Sequence, residues 1–146
     1  MKTLSTEIVI PATPAAVWQI LMDHAAYPEW NPFVKKITGQ PQVGQTIQIC
    51  VQPAGQKPME FQPKVLVNLP EKEFRWLGHL WVKGLFDGEH FFQLEPVGEG
   101  HTHLVHGEKF TGLFSSLIVK MIGADTLKSF QAMNQALNDR VKSQVG

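Results

Sequence analysis

Among the titratable residues of this chain, three stand out as a set that could move or hold a proton: His90, His106 and Glu108. Histidine is the side chain whose ordinary titration lies closest to neutral pH, and a carboxylate beside it tunes that titration or accepts its proton. A histidine–glutamate group therefore suits general acid–base chemistry, the orientation of a polar ligand group, or a buried polar network that only fixes strand pairing. Which of these applies depends on whether the three side chains meet, and that is set by the strands that carry them.

The segments Gly88–Glu95 and Thr102–Thr111 read as strands on either side of a turn, Gly98-Glu99-Gly100. Residues two apart share a face of a strand, so His90, Phe92 and Leu94 form one set, and Leu104, His106, Glu108 and Phe110 another. If the glycine turn is a three-residue loop, Leu94 falls opposite Leu104, Phe92 opposite His106, and His90 opposite Glu108. A two-residue loop would set the apolar residues beside His103, Val105 and Gly107 and spoil the match. The three-residue loop is therefore expected, with His90 and Glu108 in contact on an inward face and His106 one diagonal step away.

Around this pair the chain supplies one strand, a short helix, a run of strands and a long closing helix. Thr6–Ile10 alternate as a strand that Pro11 ends, and Thr13 caps a helix with Pro14 at its first position. Asp23–Phe33 holds Tyr27-Pro28 and Asn31-Pro32, so it reads as a helical turn and a loop that carry Tyr27, Trp30 and Phe33 to the rim. Further strands follow at Val34–Thr38, Thr46–Gln52, Met59–Asn68 and Glu73–His79, making seven with the two above and the first. From about Phe114 to Lys142 the apolar residues Ile118, Ile122, Phe130, Met133, Leu137 and Val141 recur at helical spacing, with Gly123 as an interruption. The expected architecture is α+β: a seven-stranded curved antiparallel sheet wrapped around a long C-terminal helix, with short helices after the first strand. Sheet and helix of this kind leave an interior space, and such spaces take small apolar molecules. Its expected walls are Phe61, Val65, Trp76 and Phe92 from the sheet and Phe130 and Met133 from the helix, with Trp30 at the mouth. His90, His106 and Glu108 are the polar exceptions among them.

Composition bounds the alternatives. At 146 residues, with 43% hydrophobic and 18% charged residues, the chain suits one domain spanning residues 1–146. Thirteen basic and thirteen acidic residues cancel, and no Lys/Arg run stands out, which argues against nucleic acid as a partner. Cys50 is the sole cysteine, so no internal disulfide forms. His101 and His103 point to the face opposite His106, which argues against a metal site, and no cofactor-binding motif is present. Residues 1–7 do not read as an apolar leader and no segment reads as an integral membrane span, so a cytoplasmic location is the expectation. Phe114, Leu117, Ile118, Met121 and Ile122 make an apolar stretch wider than one stripe, which leaves a homodimer open.

The segments Tyr27-Pro28-Glu29-Trp30-Asn31-Pro32-Phe33, Gly88-Glu89-His90-Phe91-Phe92 and His106-Gly107-Glu108-Lys109-Phe110-Thr111-Gly112-Leu113 carry a resemblance. The chain resembles the START-related, Bet v 1-like superfamily (SRPBCC), and more closely its bacterial polyketide cyclase/dehydrase and lipid-transport branch, from Thr6 to about Lys142. The resemblance implies a helix-grip fold with a pocket between sheet and C-terminal helix. Relatives use that pocket to hold lipids, sterols, polyketides or plant hormones, and some catalyse cyclisation or dehydration in it. Binding of a small hydrophobic ligand is the favoured expectation, with His/Glu acid–base catalysis of a cyclase or dehydratase type as the alternative.

Overall fold

The computed structural model describes residues 2–80 and 84–145. The eight strands are β1 (Lys2–Ile10), β2 (Val34–Thr38), β3 (Gln48–Val51), β4 (Met59–Phe61), β5 (Lys64–Leu69), β6 (Glu73–Leu80), β7 (Phe86–Pro96) and β8 (Thr102–Thr111). Helix α1 (Pro14–Leu21) and the short α2 (Tyr27–Trp30) follow β1, and α3 (Ser115–Val145) closes the chain. The strands form two antiparallel sheets, one of five strands in the order β1-β8-β7-β6-β5 and one of three in the order β2-β3-β4.

The expected single seven-stranded sheet is thus corrected to eight strands in two sheets. Met59–Asn68 is not one strand, because Pro63, which has no N–H for a ladder, divides it into β4 and β5 in different sheets. A bulge follows at once: Val65 pairs with Trp76 and Val67 with Arg75, two residues against one. Val65 is fully buried while Val67 is only half-buried, so the alternation of a single strand across Met59–Asn68 breaks at the bulge. Gly123 leaves α3 continuous.

Local chemistry accounts for the elements that hold the core. Thr13 caps α1, its Oγ1 accepting from the Ala16 N–H, and Pro14 opens the helix. Val17 and Leu21 of α1 then bury beside Tyr27, whose hydroxyl donates to the Leu21 carbonyl. Asn31 turns the chain into β2 by accepting from the Phe33 and Val34 N–H groups. Along α3, Phe130, Met133, Leu137 and Val141 are all at or below 1% exposed, a stripe seated on the main core. The N-terminal end of the same helix and the turn before it behave differently, since Leu113, Phe114, Leu117 and Met121 are exposed.

Candidate functional site

β7 and β8 pair in the register that a three-residue loop demands: Leu94 opposite Leu104, Phe92 opposite His106 and His90 opposite Glu108, with the Val97 N–H bonded to the His101 carbonyl. His90 Nδ1 lies 3.2 Å from Glu108 Oε1, and His90 Nε2 lies 2.7 Å from His106 Nε2. The three side chains form one continuous line of contacts, and α3 extends it. Asn134 Oδ1 accepts from His106 Nδ1 at 2.8 Å, Asn134 Nδ2 donates to Thr6 Oγ1 at 2.7 Å, and Thr6 Oγ1 donates to the His106 carbonyl at 2.9 Å.

Rings seal the inner end of this line. His106 is 0% exposed and lies between Phe92 and Phe130, with ring centroids 4.4 Å and 4.5 Å away and each pair tilted by 27°. Burial pushes the His106 imidazole well below its ordinary titration range; nearby His90 pushes the same way, while the Asn134 side chain and the Phe130 carbonyl work against it. His106 is therefore a neutral imidazole at neutral pH. His90 stacks on Trp76 at 4.7 Å with only 9° between the planes. Glu108, with 20% of its side chain exposed, is the outermost member.

Beyond Glu108 lies a cavity of about 110 Å3. Phe33, Ile49, Val51 and Phe61 line one side, Trp76, Phe86 and Phe110 another, and Ile122 and Thr126 of α3 the third, with His90 and Glu108 on the wall. Two glycines make the space. Gly78 of β6 and Gly88 of β7 are register partners and both line the cavity, so large side chains are missing from adjacent strands at one level of the sheet. Gly88 has a further role, because a Cβ there would collide with Glu108 Oε2 and lie 3.1 Å from its Cδ. A second, polar hollow of about 500 Å3 shares Ile49, Phe61 and His79 with this cavity.

Of the residues singled out from sequence, the structure puts Phe61, Trp76, His90 and Glu108 at the cavity and packs the others elsewhere. Val65, Phe92, His106, Phe130 and Met133 are nearly or fully inaccessible members of the solid core, because bulky rings and α3 meet there without a gap. Trp30 packs half-buried on the core with its ring 5.1 Å from Tyr27, away from the cavity lining. The hollow sits one to two helical turns nearer the N-terminus of α3 than Phe130. Sequence reasoning passed over Gly88, Asn134 and Thr6. An inward glycine beside Gly78 was a readable sign of a hollow, whereas the Asn134 contact depends on how α3 docks.

Comparison with known proteins agrees with this architecture. The Zhui aromatase/cyclase from Streptomyces sp. R1128 superposes with a TM-score of 0.79 at 16% identity, over 99% of this chain and 96% of that one. A START superfamily protein from Mycobacterium smegmatis gives 0.73 at 20% identity, over 97% and 98%. A norcoclaurine synthase from Thalictrum flavum gives 0.75 at 15% identity, over 99% and 96%. At such identities these likenesses concern the fold. A search of curated proteins finds no match to the sequence. The sequence profile of one family, described as polyketide cyclase / dehydrase and lipid transport, matches residues 1–146, and the chain belongs to that family.

Proposed function

We propose that this protein binds a small, mostly apolar molecule in the cavity between the sheets and the N-terminal half of α3. The observation that carries this reading is a hollow of about 110 Å3, walled by aromatic and aliphatic side chains and holding one carboxyl–imidazole pair. Removing apolar surface from water supplies the affinity, about 0.8 kcal/mol for each buried methylene, and the polar pair orients the ligand. The space is close to the ~150 Å3 that takes up benzene in an engineered core, so a single ring, or one end of a longer molecule, matches it.

A second reading, a cyclase or dehydratase acting by acid–base chemistry, draws on the same pair. Glu108 stands at the cavity with a histidine behind it, the arrangement a general base needs for reach and tuning. The similar Streptomyces protein Zhui is an aromatase/cyclase, and the family takes in cyclases and dehydrases beside lipid transport. Native mass spectrometry of the protein purified from its own cells separates the two readings. A co-purifying apolar molecule released unchanged supports binding, and its conversion on incubation supports catalysis. The absence of any bound molecule, together with no uptake of small aromatic probes, would oppose both.

A further inference from the structure

The hydrogen-bond line behind the cavity fixes where each proton sits, and this decides what the cavity offers a ligand. The Thr6 hydroxyl proton goes to the His106 carbonyl, so Thr6 Oγ1 is left as the acceptor of Asn134 Nδ2. That orientation turns Asn134 Oδ1 to His106 Nδ1, which must carry a proton to make the bond. A neutral His106 then has a bare Nε2, and His90 Nε2, 2.7 Å away, supplies the proton between them. The remaining contact, His90 Nδ1 to Glu108 Oε1 at 3.2 Å, takes one further proton to become a hydrogen bond. On nitrogen it makes an imidazolium–carboxylate pair, and on oxygen a carboxylic acid donating to imidazole. Glu108 Oε2 is a bare acceptor in both cases. It lies over Gly88 on the cavity wall, and it has no hydrogen-bond partner among the described residues.

We propose that Glu108 Oε2 is a built-in acceptor for a hydroxyl donor, so that the cavity selects a ring-sized apolar molecule bearing a phenol-type O–H. The proposal rests on the reading of the cavity as a ligand site and adds the class of ligand to it. Hydrocarbons and ethers of the same size bring no proton to Oε2, and an anionic carboxylate meets a second acceptor. A phenol places its ring among Phe33, Phe61 and Trp76 and donates to Glu108. Gln56, His79 and Thr126 also line the cavity, so the test must isolate Glu108.

Isothermal titration calorimetry with phenol and toluene does this on the wild-type protein, Glu108→Gln, Glu108→Leu and Gly88→Ala. The ratio of phenol to toluene affinity falls about tenfold in Glu108→Leu, the net worth of one hydrogen bond. It stays within about threefold in Glu108→Gln, whose amide can donate to His90 Nδ1 and turn its oxygen to the cavity. Gly88→Ala displaces the carboxyl and reproduces the loss, a second route should the leucine variant not fold. An unchanged ratio in Glu108→Leu or Gly88→Ala overturns the hydroxyl selection while toluene binding keeps the cavity reading. Failure of the wild-type protein to take up either probe overturns both.

Discussion

His106 shows how much a single side chain can depend on its neighbours. Its ring is closed in by Phe92 and Phe130, and its one N–H is satisfied by an amide from the far side of the fold. Asn134→Leu removes that partner, leaving the ring only the Phe130 carbonyl, and strips Thr6 Oγ1 of its donor, and we expect a loss of about 1–2 kcal/mol in urea unfolding. Histidine burial also gives stability a definite pH dependence. Burial holds His24 down to about 4 against the upward pull of Asp23. Between the ordinary value near 6.5 and that lowered value, the unfolded ring binds a proton that the folded ring refuses. Stability is therefore full above that range and is lost as pH falls through it; His106 adds to the loss in the same direction. His24→Phe, which keeps the ring contacts with Tyr27 and Phe74, should reduce the fall between pH 7 and pH 4.5 by about 2 kcal/mol. An equally steep fall in that variant would remove His24 from the account. The His90–Glu108 pairing was legible in the chain because a glycine loop and strand alternation fix register locally. The His90–His106 contact and the Asn134 bond were not, since both depend on rotamers and helix docking.

Elements divide in the same way. The long C-terminal helix and its stripe were legible from spacing, as was α1 from Thr13 and Pro14. The split of Met59–Asn68 carried a readable cause in Pro63, yet apolar alternation across it imitated one strand. The turn from β8 into α3 rests on Gly112, which has φ 112° and would place a Cβ 2.6 Å from the Leu85 carbonyl oxygen. Gly112→Ala should cost about 2 kcal/mol or more and unfold at lower denaturant; an unchanged midpoint would show that the turn relaxes freely. Gly78 is the opposite case. Its Cβ position has only Pro63 Cβ near it, at 3.7 Å, and open space beyond. Gly78→Leu should keep the fold within about 1 kcal/mol while filling the cavity, and toluene uptake should vanish. Retained uptake would place the ligand elsewhere.

At the scale of the whole molecule, the two ends of α3 do different work. Its C-terminal half, from Phe130 to Val141, closes a core packed without gaps, and its N-terminal half stands off the sheets at a level where Gly78 and Gly88 leave room. The fold class was readable from element order, but the position of the hollow was not, because volume is a property of all walls together. No helix among the described residues is long and apolar enough to cross a membrane. The most direct test of the account is a 1H–15N NMR titration with toluene. We predict saturable shifts at the amides of Gly78, Gly88 and Ile122, with Met133 to Val141 unmoved. No saturable change, or changes centred on Met133 to Val141, would contradict it.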